Sequence, residues 1–205
     1  MSDEGVTYFF NLVIRAREMN CRQFVPRNVT EALPNRTYTL PVLVLAYTSL
    51  RWGEATAVRV RRVDLMNRRI EVVHTAIELN REMTYGTPKT HQRRSVPIPR
   101  SLVDALVEHV AGKQPDDLVF TTLRGEVMRN HNFRSRVFAP AAKQVGVPGL
   151  TPHDLRHTAA SLAVQAGANV KVVQRMLGHA SAAMTRRSAV RPRRRKWPMT
   201  CGFTS

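Results

Sequence analysis

Four short segments of this 205-residue chain carry side chains suited to handling a phosphate group. In Tyr47-Thr48-Ser49-Leu50-Arg51-Trp52-Gly53-Glu54 a guanidinium follows an apolar stretch directly, with a carboxylate three positions on; alone, such a pair is more often a salt bridge than a site. In Gly86-Thr87-Pro88-Lys89-Thr90-His91-Gln92-Arg93-Arg94-Ser95 a lysine stands in a polar loop. It reads either as a charged hairpin tip or as a mobile cation reaching a phosphate, with Arg93 and Arg94 holding an anionic backbone nearby. His153-Asp154-Leu155-Arg156-His157-Thr158 opens a capped helix. His153 and Arg156 fall three apart on one face of its first turn, where free N–H groups and the helix dipole favour an anion. Asp154 serves as a cap, and His157, on another face, needs no function. Leu177-Gly178-His179-Ala180-Ser181 puts a histidine just past a helix end, as a carbonyl cap or as a phosphate ligand.

Taken together, Arg51, Lys89, His153, Arg156 and His179 make a set that can bind and polarise one phosphate without a metal. Two guanidiniums can neutralise the charge of a five-coordinate phosphorus, a lysine can protonate a departing oxygen, and an imidazole can move a proton. There is no paired carboxylate motif, no Cys/His metal cluster and no Gly-rich nucleotide loop, so neither a metal nor a cofactor is expected.

Positioning these residues falls mainly to helices. Phe9, Leu12, Val13, Ala16 and Met19 recur at helical spacing and predict a helix over 8–20. Pro26 and Pro34 break residues 21–39 into a linker. Residues 40–51 are apolar enough for a buried helix. Arg69–His74 and Arg94–Pro99 read as strands, the second an edge because of its prolines. The polar stretch between them, with Gly86 and Pro88, reads as a long loop. Ser101-Leu102-Val103-Asp104 has capping-box form and starts a helix that ends at Gly112. Residues 130–144 form another helix, kinked at Pro140. Thr151, Pro152 and Asp154 give N-cap, N1 and N3 of a helix running to about Ala166 and stopped by Gly167. Asn169 caps a last helix that Gly178 ends. The expected fold is mainly α with a small antiparallel β-sheet.

Composition narrows the partner. Lys and Arg number 32 against 15 Asp and Glu, giving a net charge of +17, while 43% of residues are hydrophobic. A globular, strongly basic chain points to a polyanion: nucleic acid first, an anionic membrane surface a distant second, since the basic tail has no apolar face. The longest apolar stretch, Leu40 to Tyr47, contains Pro41 and is too short to span a bilayer. Two cysteines, Cys21 and Cys201, form no disulfide framework, consistent with a cytoplasmic setting. From residue 127 onward the one acidic residue is Asp154, and the last 20 residues hold seven basic ones. Residues 186–205 read as a disordered basic tail able to touch phosphates.

The stretches TSLRWGE, KTHQRRSVPIP, TPHDLRHTAASL and MLGHAS, in this order, resemble the successive boxes of the tyrosine recombinases, the phage integrase family, over about Leu40 to Thr185. Each is weak alone; as a set they are specific. The resemblance implies the family's catalytic-domain fold and strand cleavage and rejoining of double-stranded DNA through a 3′-phosphotyrosine. It also implies that Arg51 and Arg156 hold the scissile phosphate, Lys89 protonates the leaving 5′-oxygen and His153 handles the nucleophile's proton. His179 would bond the phosphate, and Glu54 would steady Arg51.

Two features depart from that pattern. The tyrosine nucleophile would fall at about Ser188 or Ala189, yet the four tyrosines are Tyr8, Tyr38, Tyr47 and Tyr85. The likeness ends at Thr185, as a frameshifted C-terminus, or else a divergent tail, would make it. At the other end, residues 1–39 read as the remnant of an N-terminal DNA-clamping domain plus linker, followed by a catalytic domain at 40–185. The expectation is therefore a prophage-type integrase fragment, impaired in cleavage, acting as a homo-oligomer on DNA or with an intact homologous integrase. Two alternatives stand beside it: an active enzyme using Tyr85 or a partner's tyrosine, and a non-catalytic DNA-binding protein held by charge.

Overall fold

The computed structural model describes residues 24–80, 82–87, 93–165, 167 and 169–177. The predicted helix over 8–20, the tail 186–205, Lys89, Gly178 and His179 lie outside the described residues.

The stretch expected to be a linker contains a helix, α1 (Phe24–Glu31). Pro26 lies within it. Val29 of α1 is fully buried in the core. Asn35 accepts a hydrogen bond from Thr37 N at 2.8 Å and starts a short 3-10 turn, Arg36–Tyr38, which feeds α2 (Thr39–Thr48). In α2 Leu40, Pro41, Val42, Val44, Leu45, Ala46 and Thr48 are all buried. A helix this apolar on every side has to be surrounded. It packs against α1 on one side and on the other against α7 (Pro152–Gln165), described below. Thr48 donates to Val44 O at 2.5 Å, and Ser49 then takes left-handed φ 57°. That turn separates α2 from the single-turn α3 (Trp52–Ala55).

After a 3-10 turn, Val60–Arg62, come the strands. β1 (Val63–Asp64), β2 (Arg69–Val72) and β5 (Arg94–Pro97) form an antiparallel sheet in the order β1-β2-β5. The β5 edge position agrees with its prolines. In the β2–β5 register Ile70 faces Val96 and Val72 faces Arg94. Ile70, Val72 and Val96 are buried, so Arg94 occupies an inward-facing position. The polar stretch expected to be one long loop folds instead into a second hairpin, β3 (Thr75–Leu79) with β4 (Glu82–Gly86). Its strands alternate only weakly in hydrophobicity because much of the hairpin is exposed, so period-2 patterning could not reveal it.

The rest is helical. Ser101 lies in a 3-10 turn, Arg100–Leu102, and Leu102 is the N-cap of α4 (Val103–Val110), with no side-chain capping bond; the expected capping box is not formed. His109 Nε2 lies 2.8 Å from Val119 O, and Lys113 Nζ donates to the same oxygen at 2.6 Å. Together they staple the segment after α4 to the core. Residues 130–144 are helical throughout but in three parts: α5 (Asn130–Phe133), a π turn (Arg134–Phe138) and α6 (Ala139–Gln144). The wider turn, with Ala139 N reaching back to Arg134 O, falls where Pro140 cannot donate. α7 begins as expected: Thr151 N donates to Asp154 Oδ2 at 2.9 Å and Thr151 Oγ1 to the same oxygen at 2.7 Å. Gly167 follows it at φ 86°. Asn169 caps α8 (Val170–Leu177), accepting from Lys171 N at 2.9 Å.

The β3–β4 hairpin is seated on α3 through Gly53. A Cβ there would lie 2.4 Å from Ala76 O and 2.7 Å from Thr75 Oγ1. Helix propensity favours Gly53→Ala by about 1 kcal/mol, whereas the backbone clash costs about 1–3 kcal/mol. The clash should win. The expected result is a lower urea midpoint for Gly53→Ala; a higher one would show that the hairpin does not rest on α3.

Candidate functional site

The site is organised around Glu54, whose side chain is 1% exposed. Standing at N3 of α3, its carboxylate reaches back to the N-cap, accepting from Arg51 N at 2.8 Å. Its Oε1 accepts from Arg51 Nη1 at 2.8 Å and Arg94 Nη1 at 2.8 Å, and its Oε2 accepts from Arg94 Nη2 at 2.5 Å. Arg94 thus grips both oxygens as a fork. Burial pushes the Glu54 carboxyl up, but the hydrogen bond and charge of Arg94, and the bonds from Arg51, outweigh it and hold the group below its usual range. Glu54 therefore stays ionised inside the fold.

Arg156 projects from the first turns of α7 and is 2% exposed. One terminal nitrogen donates to Ser49 O, in the left-handed turn after α2, and the other to Leu177 O, at the end of α8. A guanidinium at a helix C-terminus complements its exposed carbonyls and dipole. Burial first, then the Arg51 charge, push Arg156 down to about 9, with Glu54 opposing and Arg94 adding to the fall. It remains a cation at neutral pH. Arg51, 30% exposed, is the more accessible of the two arginines.

His153 stands one turn before Arg156 at the surface of α7. Partial burial of its ring, then the Arg156 charge and more weakly that of Arg51, lower its pKa against the pull of Asp154. A lowered histidine is neutral at pH 7 and free to take a proton. Its ring meets that of His157 edge to face, with centroids 4.9 Å apart. His157 is thus a neighbour of the site and not a bystander on another face, because i and i+4 meet on a helix.

Arg51, Arg156 and His153, from two distant stretches of chain, therefore share one electrostatic neighbourhood. His153 and Arg156 differ in depth, however: the first is exposed and the second is buried. Arg94, read from sequence as a holder of an external backbone, spends its guanidinium on Glu54, while Arg93 is exposed. Three partners escaped the sequence reading: Arg94 as the counter-ion of Glu54, and the carbonyls of Ser49 and Leu177. Arg94 left a signal, a charged residue at an inward strand position beside Val96. The carbonyls left none. Tyr85 lies on β4, 43% exposed, under the Arg59 guanidinium at 5.9 Å from the ring centre.

Residues 18–189 match the sequence profile of the phage integrase family. This chain belongs to that family. It is 33% identical over 157 residues to the integrase of Mycobacterium phage D29, covering 72% of this chain and 41% of that protein. To the putative prophage phiRv2 integrase of Mycobacterium tuberculosis it is 30% identical over 161 residues, covering 75% and 42%. To the tyrosine recombinase XerC of Bifidobacterium longum it is 31% identical over 153 residues, covering 71% and 41%. The chain spans less than half the length of each of these relatives. Among solved structures, the Tn1549 transposon integrase in complex with a circular intermediate DNA aligns with TM-score 0.71 at 20% identity, over 81% of this chain and 58% of that one. The XerA recombinase aligns with TM-score 0.67 at 25% identity, over 83% and 58%. The catalytic domain of bacteriophage HP1 integrase aligns with TM-score 0.57 at 22% identity, over 81% and 83%. The fold is that of a tyrosine-recombinase catalytic domain.

Because the Glu54 pKa is lower in the folded chain than its ordinary value of 4.5, its ion pairs stabilise the fold above that pH. That contribution is lost as pH falls through the folded pKa. Glu54→Gln should cost about 2–3 kcal/mol at pH 7, less than a fully buried orphaned pair because Arg51 is partly in water. It should also flatten the acid limb of the stability–pH curve. Urea titrations from pH 7 to pH 3 check this; parallel curves for the two proteins would contradict it.

Proposed function

We propose that this chain is the DNA-binding catalytic domain of a phage-type integrase, a site-specific tyrosine recombinase for DNA integration. In this reading it seats one phosphodiester of double-stranded DNA but does not cleave it unaided. The observation that carries the reading is the convergence of Arg51 and Arg156, each shaped by a separate element, beside a neutral His153. A guanidinium pair carries the charge and the fork geometry for a phosphate's non-bridging oxygens.

In the reaction that the family resemblance implies, a tyrosine oxygen attacks phosphorus, its O–P bond forms and the bond from phosphorus to the 5′-oxygen breaks. His153 takes the phenolic proton and Lys89 gives one to the departing 5′-oxygen. Arg51, Arg156 and His179 hold the charge of the five-coordinate phosphorus. The arginines do this best if they are already in place, so that little reorganisation accompanies the reaction. These 205 residues hold no tyrosine after Tyr85, so the phenol would come from outside them, as from another protomer or an intact homologous integrase on the same DNA. A DNA substrate is compatible with a cytoplasmic setting. No helix among the described residues is long and apolar enough to cross a membrane.

The net charge of +17 favours one competing reading, a DNA-binding protein held by charge alone. Duplex binding followed by fluorescence anisotropy separates the two. If Arg51 meets a phosphate in a formed pocket, Arg51→Ala should weaken binding about tenfold, the size of a lost charge-assisted bond. Arg124→Ala, at an exposed position, should cost far less. Equal small losses for both would favour charge alone. In a separate assay, nicked suicide duplexes should give no covalent protein–DNA adduct with this chain. An adduct that disappears in Tyr85→Phe would instead make Tyr85 the nucleophile.

A further inference from the structure

We infer that His157 is a positioning residue for His153: packed edge to face against the His153 ring, it fixes the direction in which that imidazole presents its nitrogens. The inference rests on the reading of His153 as the group that takes a proton beside a phosphate.

Proton transfer is directional. An imidazole takes a proton at a ring nitrogen, and only when that nitrogen lies within hydrogen-bond reach of the donor. Turning the ring over puts a C–H where the nitrogen was. His153 stands in the first turn of α7 and is exposed, so the core does not enclose its ring. The charged groups that act on it are Arg156, Asp154 and Arg51. They set how readily the ring takes a proton, but a charge acts at a distance whichever way the ring is turned. Direction has to come from packing, and the ring packs against that of His157, with centroids 4.9 Å apart and planes at 88°.

The helix produces this geometry. Residues four apart lie one above the other, and each Cα–Cβ bond tilts toward the N-terminus, so the His157 side chain leans back over the turn that carries His153. His157 is half-buried, next to the sealed Arg156 and two positions beyond the fully buried Leu155. An anchored ring therefore meets an exposed one. Near-perpendicular planes bring the positive edge of one ring to the negative face of the other, an attraction that is lost when either ring turns away.

The test uses the 205-residue chain, a duplex oligonucleotide as probe and the imidazole NMR signals of His153, assigned by their loss in His153→Gln. Two quantities are read: the side-chain three-bond couplings, which report whether His153 holds one rotamer, and the midpoint of its titration with and without duplex. In the unsubstituted chain a phosphate beside the ring should raise that midpoint by about one pH unit. His157→Ala should average the couplings and cut the rise to about half, because a ring that samples other directions lies farther from the phosphate on average. His157→Phe, which keeps a ring in place, should retain one rotamer and most of the rise. His157→Gln, which keeps the bulk without the ring, is measured in the same way if His157→Ala does not fold, and should behave as the alanine variant does. Unchanged couplings and an unchanged rise in the ringless variants overturn the inference; a lower melting temperature beside them would mark a purely structural role for His157. A His157→Phe chain that behaves like His157→Ala overturns it as well, by assigning the effect to hydrogen bonding of the imidazole and not to ring packing. If duplex binds the unsubstituted chain without moving the His153 midpoint, the phosphate reading of His153 fails and the inference falls with it. If the midpoint rises equally with and without a ring at 157, only the role of His157 is lost.

Discussion

A carboxylate sealed inside this fold constrains everything near it. Removing a carboxylate from water costs several kcal/mol unless charge and hydrogen bonds replace the lost hydration. Glu54 obtains four hydrogen bonds from two arginines and one backbone N–H. Meeting that demand determines what may stand at the start of α3 and what must point inward from β5. It also joins two parts of the chain that are distant in sequence, the turn after α2 and the edge strand of the sheet.

Arg156 completes the arrangement from the other side. Its charge is buried, and among the described residues no carboxylate is bonded to it; the backbone oxygens of Ser49 and Leu177 accept from it instead. The positive groups thus accumulate where α2, α3, α7 and α8 approach one another. Burial first, and their mutual repulsion second, lower the pKa values of His153 and Arg156. A region in which cations are held close against their own repulsion gains stability when an anion arrives.

Much of this was legible in the residues. The apolar run of α2, the Thr151-Pro152-His153-Asp154 start of α7, the Gly167 stop, the Asn169 cap and the edge strand with its prolines follow from local rules, and local rules need no knowledge of neighbours. Where tertiary contact decided the outcome, the sequence was silent or misleading. Pro26 suggested a break, yet residues on both sides of it are helical. The β3–β4 hairpin had too little buried surface to imprint an alternation. Ser101 and Asp104 had the form of a cap, but the chain enters α4 through a tighter turn that places Leu102 at the junction. At the site, Arg51, Glu54, His153 and Arg156 could be picked out by type and spacing. The pairing of Arg94 with Glu54 spans 40 positions, and no short motif contains it.

The acceptors that seat Arg156 are carbonyl oxygens, and every amino acid has one. Replacing the side chain at position 177, or substituting position 49 with any residue that tolerates a left-handed turn, leaves both acceptors where they are. Proline at 49, or a β-branched residue there, would remove the turn itself. The seat is therefore forgiving of point substitutions but brittle to changes of length. One residue inserted into or deleted from α8 would rotate its final carbonyl by about 100 degrees and carry it away from the guanidinium.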